Sequence, residues 1–350
     1  MNILESGVYS GDLKLALSRL DTEKLKNKCI LVTGACGLIC SAVVDLLIAA
    51  NREHRLGMKI YAAGRSVEKL GLRFPDAEQD GLIPVAYDAL KCIAFDFSVD
   101  YIIHGAGNAS PDKYMKQPVD TMMANILGIR NLIEYAAKTN VEKVLYISSS
   151  EVYGKLSTGE PLKEDVYGST DILSVRSSYP MGKQAAETLC VAYAEQYGIN
   201  VSIVRPGHIY GPTAQPSDNR VSSLFARQAA AGNDIVMKSM GTQIRSYCYC
   251  VDCASAIITV LLCGENREAY NISNSRSIIT IYQMASLIAE SAGVTLKMEL
   301  PSQTEKAAFN PMDNSSLDSK KLENLGWNGC FDAKTGFLHT IKVLRDCAPE

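Results

Sequence analysis

A glycine-rich turn near the start of the chain constrains the fold more than any other feature of the sequence. The turn, TGACG at 33–37, follows a short apolar run at 29–33 and precedes an apolar stretch with helical spacing at 38–50. Gly34 suits a tight turn, and Gly37 lets a phosphate approach the backbone where a helix begins with free N–H groups. A strand, a glycine turn and a helix in this order predict a dinucleotide-binding turn.

Two details of the surrounding sequence bear on the cofactor. Leu38 and Ile39 open the helix, so we expect their N–H groups to face the cofactor phosphates, whereas Cys40 stands where such turns usually have a third glycine. The second strand ends in Arg65-Ser66 and lacks the acid that usually binds the ribose of NAD. The sequence therefore predicts NAD or NADP, and Arg65 favours NADP because a guanidinium can pair with a 2′-phosphate.

Short apolar runs alternate with helical patterns over the first two thirds of the chain. This alternation predicts an α/β fold, a Rossmann-type, doubly wound parallel sheet, with a smaller C-terminal α/β substrate lobe. We expect a peripheral helical extension at 1–27, a dinucleotide-binding domain at 28–206 and a mainly substrate-binding lobe at 207–350. A strand and a helix around 245–275 should return to the first domain.

Composition excludes several classes of function. The 350 residues carry a net charge of −3, which gives no electrostatic basis for nucleic-acid binding. No apolar stretch reaches the roughly 18–20 residues that a membrane helix needs, and the N-terminus lacks a secretory pattern. We therefore expect a cytoplasmic protein without a membrane partner. The eleven cysteines are predicted to be reduced structural thiols, and no metal site is predicted.

A candidate catalytic group follows the glycine turn along the chain. Ser149, Ser150 and Glu151 end a buried strand, and Tyr179 and Lys183 lie four residues apart at the start of a predicted helix. Positions i and i+4 share a helix face, so the lysine should lie beside the tyrosine and favour its phenolate. Tyr179 could then take a proton from a substrate hydroxyl that Ser149 orients, while hydride passes to the cofactor, and both Tyr179 and Lys183 would also contact that cofactor.

Longer motifs carry a family resemblance. TGACGLIC, HGAGNASP, SSSEVYG, SSYPMGK and VRPGHIYGP occur in the order typical of nucleotide-sugar epimerases, dehydratases and decarboxylases. The chain resembles this family of extended short-chain dehydrogenases/reductases over roughly residues 28–275. Residues 109–136 and 218–232 are most similar to UDP-glucuronate decarboxylases, which are also called UDP-xylose synthases.

The resemblance implies roles for further residues. Asn125 matches a family asparagine near the cofactor, and Tyr114 matches a tyrosine on the substrate side. Arg245 resembles the arginine that reaches the substrate diphosphate, which suits a guanidinium fork. His208 occupies a substrate-side position where the family usually has asparagine. Glu151 implies chemistry at C5, because simple 4-epimerases tend to have a small residue there.

The resemblance also implies a reaction and partners. The cofactor would oxidise C4 of a nucleotide-sugar, and the 4-keto sugar would then react at C5. UDP-glucuronate decarboxylation is the nearest named reaction, 4,6-dehydration is next, and 4- or 5-epimerisation is third. A non-catalytic dinucleotide-binding sensor is a distant alternative, since such relatives usually lose the tyrosine or lysine. A homodimer and a place in polysaccharide biosynthesis are further expectations from the family.

Overall fold

A parallel sheet forms the centre of the computed structural model, which describes residues 2–75, 77–156, 159–299 and 312–348. The strands are β1 Cys29–Thr33, β2 Lys59–Gly64, β3 Leu82–Ala86, β4 Tyr101–His104, β5 Lys143–Ile147, β6 Val201–Pro206, β7 His208–Tyr210, β8 Ile235–Met237, β9 Ile244–Tyr249, β10 Ala269–Ile272, β11 Ile278–Thr280 and β12 Leu296–Met298. Seven of them pair in parallel in the order β10-β6-β5-β4-β1-β2-β3.

Helices cover both faces of this sheet. They are α1 Gly7–Leu17, α2 Leu38–His54, α3 Val67–Arg73, α4 Pro111–Lys116, α5 Pro118–Thr139, α6 Ser178–Tyr197, α7 Val221–Ala230, α8 Cys250–Cys263, α9 Ile281–Ala292, α10 Lys320–Glu323 and α11 Ala333–Asp346. The central strands are buried on both faces, which explains why their sequences are continuous apolar runs. In the part of the chain that the structure describes, no helix is long and apolar enough to cross a membrane.

The strand order determines where a site can form. β1 lies between β4 and β2, and β5 lies beyond β4. The connections from the carboxyl ends of β1 and β4 leave in opposite directions, so a crevice opens at this edge of the sheet. The glycine turn after β1, Gly105 after β4 and Ser149 after β5 all lie at this edge.

The second half of the chain returns to the main sheet and also forms two smaller sheets. β10 pairs with β6 at the edge of the main sheet, and α8 packs against α2. The sheet β11-β9-β7 and the pair β12-β8 lie outside the main sheet. The strand and helix expected around 245–275 are present, and the segment before α8 forms β9. The terminal helix α11 has no counterpart in the sequence prediction, although its inward residues Phe337 and Ile341 are buried.

The N-terminal extension differs from the prediction that it is peripheral. Tyr9, Leu13 and Leu17 on α1 are at most 3% exposed. The Tyr9 hydroxyl donates to a carboxylate oxygen of Asp45 on α2 at 2.8 Å. Helix α1 therefore forms part of the core, because its apolar stripe closes the space between α2, α8 and α11.

Candidate active site

The glycine turn has the geometry of a phosphate-binding turn. Gly34 has φ +73°, and a Cβ there would lie 2.9 Å from backbone atoms of Gly105 and Ala106. Gly37 is the N-cap of α2, and a Cβ on it would lie 3.1 Å from the carbonyl oxygen of Gly34. No side chain caps the helix, so its first N–H groups, including that of Leu38, are free for an anion. These features fit the pyrophosphate of a dinucleotide.

Ile39, Arg65 and Ser66 lie around this turn. Ile39 follows Leu38 in the first turn of α2. The end of β2 lies beside the glycine turn, since the N–H of Ala35 donates to the carbonyl of Ala63 at 3.1 Å. Arg65 is exposed directly after β2, whereas the Ser66 hydroxyl accepts from the N–H of Lys69 and caps α3. The Ser66 side chain therefore has a structural partner, whereas the Arg65 side chain extends into solvent.

Ser149 and Tyr179 form the centre of the site. Ser149 follows β5, and its Oγ accepts from the N–H of Glu151 at 3.2 Å. The Ser149 hydroxyl is close enough to the phenolic oxygen of Tyr179 to lower the pKa of that phenol. Tyr179 is 6% exposed in the first turn of α6. The structure therefore brings together a serine and a tyrosine that are 30 positions apart in the sequence.

The ionisation of Tyr179 differs from the sequence expectation. The pKa of Tyr179 is raised to about 12, mainly by burial; Glu151 and Tyr114 contribute to this rise, while Ser149 and Arg220 oppose it. The phenol is therefore neutral at pH 7 in the protein alone, rather than held as a phenolate by its lysine neighbour. The physical reason is that desolvation of a buried phenolate outweighs the surrounding positive charge.

Lys183 links α6 to the end of β5. Its ammonium donates to the carbonyl of Ile147 at 2.7 Å and lies 4.6 Å from the ring centroid of Tyr146. Burial lowers the pKa of Lys183 to about 8. Cys40 is close enough to interact electrostatically with this ammonium, and a Cβ on Gly105 would overlap the Cys40 sulfur. Cys40 therefore fills the space between the turn and the lysine where family members usually have glycine.

Glu151 lies next to Ser149 and has an unexpected partner. Its carboxylate accepts two hydrogen bonds from Arg176, each 3.1 Å long. Ser150 opens the same 3-10 turn and is partly buried. Glu151 is close enough to raise the pKa of Tyr179 by its charge. A carboxylate, an arginine and the phenol thus lie in one group.

Arg245 and His208 lie close to each other and near this group. Arg245 is 3% exposed and donates to the carbonyls of Ile244 and Met312 at 2.8 and 3.0 Å. Among the described residues, no carboxylate lies within ion-pair distance of it. His208 has a buried Nδ1 without a described hydrogen-bond partner. Burial lowers the pKa of His208 to about 3, helped by the charges of Arg245 and Arg220, so the ring is neutral.

Asn125 and Tyr114 complete the surroundings of Tyr179. Asn125 is fully buried on α5, donates to the carbonyl of Thr121 at 2.8 Å and accepts from the Tyr146 hydroxyl at 3.4 Å. This amide supports the wall next to Lys183. The Tyr114 ring stacks on the Tyr179 ring with centroids 5.4 Å apart and planes 13° apart. Tyr114 therefore limits how the phenol can move.

Two arginines of this site, Arg176 and Arg220, were not predicted from the sequence. Arg176 precedes Tyr179 by three residues, and Arg220 influences the pKa of both Tyr179 and His208. Arg220 also pairs with Asp218 at 2.5 Å. The only available signal was position, since Arg176 adjoins the tyrosine motif and Arg220 lies in the segment at 218–232 that resembles the decarboxylases.

Comparison with known sequences agrees with the family resemblance. Residues 30–273 match the model of the NAD dependent epimerase/dehydratase family. UDP-glucuronic acid decarboxylase 6 of Arabidopsis thaliana is 32% identical over 302 residues, 86% of this chain and 84% of that protein. UDP-glucuronic acid decarboxylase 1 of Xenopus tropicalis is 27% identical over 318 residues, 91% of this chain and 72% of that protein. The predicted resemblance is thereby confirmed.

Comparison with solved structures confirms the predicted fold class. DesIV, a dTDP-glucose 4,6-dehydratase of Streptomyces venezuelae solved with NAD, superposes with a TM-score of 0.76 at 23% identity, over 91% of this chain and 97% of that one. A mutant of UDP-glucuronic acid 4-epimerase from Bacillus cereus, solved with UDP-4-deoxy-4-fluoro-glucuronic acid and NAD, superposes with a TM-score of 0.76 at 21% identity. The match covers 91% of this chain and 100% of that one.

Proposed function

The chain belongs to the NAD dependent epimerase/dehydratase family, and on this premise we propose that it oxidises C4 of a nucleotide-sugar and then acts on the 4-keto sugar. UDP-glucuronate is the substrate that we propose first. The observation that carries the proposal is that Ser149 and Tyr179 lie next to each other at the sheet edge that also bears the glycine turn. This edge is where such folds bind their ligands.

Tyr179 is the proposed proton acceptor. Its phenolic oxygen takes the proton of the C4 hydroxyl, which Ser149 orients by hydrogen bonding. A bound oxidised nicotinamide dinucleotide supplies the hydride acceptor and a positive charge. That charge opposes the burial that holds the pKa of Tyr179 at about 12. Lys183, fixed by the carbonyl of Ile147, adds a second positive charge on the same helix face.

Glu151 is the proposed group for chemistry at C5. A ketone at C4 makes the C5–C6 bond of a uronic acid breakable, because the bonding electrons pass into an enolate as carbon dioxide leaves. The enolate would then take a proton at C5 from a water molecule that Glu151 orients, and return of the hydride from the cofactor and of the proton from Tyr179 to C4 would give a UDP-pentose. Glu151 is close enough to Tyr179 to shift its pKa, which supports a position near the same sugar.

The substrate diphosphate is proposed to bind beside Arg245 and His208. The buried Arg245 has no described carboxylate partner, so a phosphate would supply the missing negative charge. The neutral ring of His208 can donate one hydrogen bond from a nitrogen that is otherwise unpaired. Arg220 lies within electrostatic range of this imidazole and adds to the positive potential.

We propose three further properties of the protein. Arg65 determines the preference between NAD and NADP, and it favours the 2′-phosphate of NADP.

All eleven cysteines are unpaired thiols, which supports a reducing compartment such as the cytosol. Val191 and Tyr197 on α6 are 40% and 59% exposed, which supports a homodimer through this helix. Light scattering of the purified protein would measure the mass of the assembly.

Product analysis tests the proposed function. Purified protein with NAD or NADP would be mixed with UDP-glucuronate, UDP-glucose, dTDP-glucose and GDP-mannose, and the products followed by NMR. Release of carbon dioxide and formation of a UDP-pentose support the proposal. Turnover of a neutral sugar alone supports 4,6-dehydration or epimerisation instead. If Tyr179→Phe leaves the biological activity of the protein unaltered, the chain is a dinucleotide-binding sensor.

A further inference from the structure

Arg176 has hydrogen-bonding capacity that its ion pair does not use. It lies in the 3-10 turn Val175–Ser177, directly before α6, and its side chain is 43% exposed. Nη1 and Nη2 each donate one hydrogen bond to the Glu151 carboxylate. A guanidinium has five N–H donors. Three of them therefore have no acceptor among the residues that the structure describes.

The unused donors belong to a guanidinium that lies among the groups around Tyr179. Arg176 interacts electrostatically with Tyr114, which stacks on Tyr179 at 5.4 Å. Partial burial lowers the pKa of Arg176, but the charges of Glu151 and Tyr114 raise it above its ordinary value, so the group stays charged.

The turn that carries Arg176 is fixed by local hydrogen bonds. The Ser177 hydroxyl donates to the carbonyl of Asp171 at 2.5 Å, and the N–H of Ser174 donates to the same carbonyl at 3.2 Å. The backbone beneath the guanidinium is thus held before a ligand arrives. A preorganised donor loses less entropy on binding than a mobile one.

The charges of Arg176 and Glu151 determine which sugars can bind beside them. Glu151 alone would repel a sugar that carries a carboxylate at C6, because two like charges would share one site. Arg176 neutralises Glu151 and still has donors for a second carboxylate, whereas a neutral hydroxymethyl group would gain little from them. We propose that Arg176 binds the sugar carboxylate and is the residue by which the site selects uronic acids over neutral sugars. This inference rests on the proposed function.

Binding measurements separate this role from turnover. In a Tyr179→Phe background, which prevents consumption of the sugar, the Kd values of UDP-glucuronate, UDP-glucose and UDP would be measured by calorimetry with the nicotinamide dinucleotide present. We expect Arg176→Met to weaken UDP-glucuronate binding by about 10- to 100-fold. The Kd values of UDP-glucose and UDP should change by less than about threefold. Arg176→Lys keeps the positive charge but removes the planar guanidinium, so we expect an intermediate loss of affinity for UDP-glucuronate. This second variant keeps the test valid if Arg176→Met does not fold.

Arg52 provides a matched control. Its side chain is 44% exposed and pairs with Asp80 at 2.6 Å. It lies 14 residues along α2 from Leu38, about 21 Å from the start of that helix. Arg52→Met removes an arginine from a similar ion pair far from the site, so we expect all three Kd values to be unchanged.

A second experiment, in a variant that also carries Glu151→Gln, distinguishes direct binding of the sugar by Arg176 from a role of Arg176 in positioning Glu151. With Glu151→Gln present, Arg176→Met should still weaken UDP-glucuronate binding selectively, because the proposed contact is to the sugar. If the added substitution has no effect there, or if both sugars weaken equally, Arg176 only positions Glu151 and the inference is wrong, while the proposed function stands. If the unsubstituted protein binds none of the three ligands, the proposed function fails and the inference fails with it.

Discussion

Replacing Gly34 by alanine tests whether the glycine turn depends on close backbone approach. Gly34 has φ +73°, a conformation that costs a residue with a side chain roughly 1–2 kcal/mol. The new Cβ would also lie 2.9 Å from backbone atoms of Gly105 and Ala106. These atoms follow β4 and cannot rotate away as a side chain would, so we expect a further cost of about 1–3 kcal/mol.

The magnitude converts into a measurable change of Tm. An unfolding entropy of about 2.1 cal/mol/K per residue gives about 0.7 kcal/mol/K for 350 residues, so 1 kcal/mol corresponds to about 1.4 °C. We expect Gly34→Ala to lower the Tm by about 3–7 °C. Because the turn must shift, the Kd of the nicotinamide dinucleotide should rise at least about 10-fold. Calorimetry would measure both quantities, with and without the cofactor.

Gly198 at the end of α6 is the matched control. It has φ +68°, and a Cβ there would have no neighbour within 4 Å. Gly198→Ala therefore carries only the conformational cost, and we expect the Tm to fall by about 1–3 °C with unaltered cofactor affinity. If Gly34→Ala and Gly198→Ala lower the Tm equally, and neither changes the Kd of the cofactor, the argument from backbone contact is refuted.

Three further predictions concern the site. Tyr179→Phe should lower the rate of C4 oxidation by about 10²- to 10⁴-fold, because the proton acceptor is lost, and should change the Kd of the cofactor little. Stopped-flow absorbance of the reduced cofactor measures the rate, and a loss of rate under threefold would contradict the assignment of Tyr179. Arg65→Glu should weaken NADP binding more than NAD binding, by about 10-fold or more, and equal effects in fluorescence titrations would remove Arg65 as the discriminating residue. The pKa of His208 is about 3 in the folded state and near 6.5 in the unfolded state, so the unfolded state binds the proton first and the stability falls as the pH drops from about 6.5 towards 3. His208→Asn should therefore reduce the slope of the unfolding free energy against pH by up to one proton, as measured by denaturant titrations over this range. An unchanged slope would show that the imidazole is not buried in its neutral form.

The sequence by itself determined features that depend on residues close together in the chain. The strand, turn and helix around Gly34 and Gly37 follow from local spacing, and so does the placement of Tyr179 and Lys183 on one helical turn. Such features depend on backbone sterics and helical periodicity, which act over a few residues. The parallel sheet also followed, because buried strands and amphipathic helices alternate with the required spacing.

Tertiary structure decided the partners and the ionisation of the site. The bidentate pair of Arg176 and Glu151 joins residues 25 positions apart, through turns whose relative position depends on how α6 and the segment after β5 pack together. The neutral state of Tyr179 likewise depends on burial, since desolvation by many distant groups outweighs the nearby positive charge. Charge and burial act through space, so side chains from separate strands and turns had to be brought together before either effect could be known.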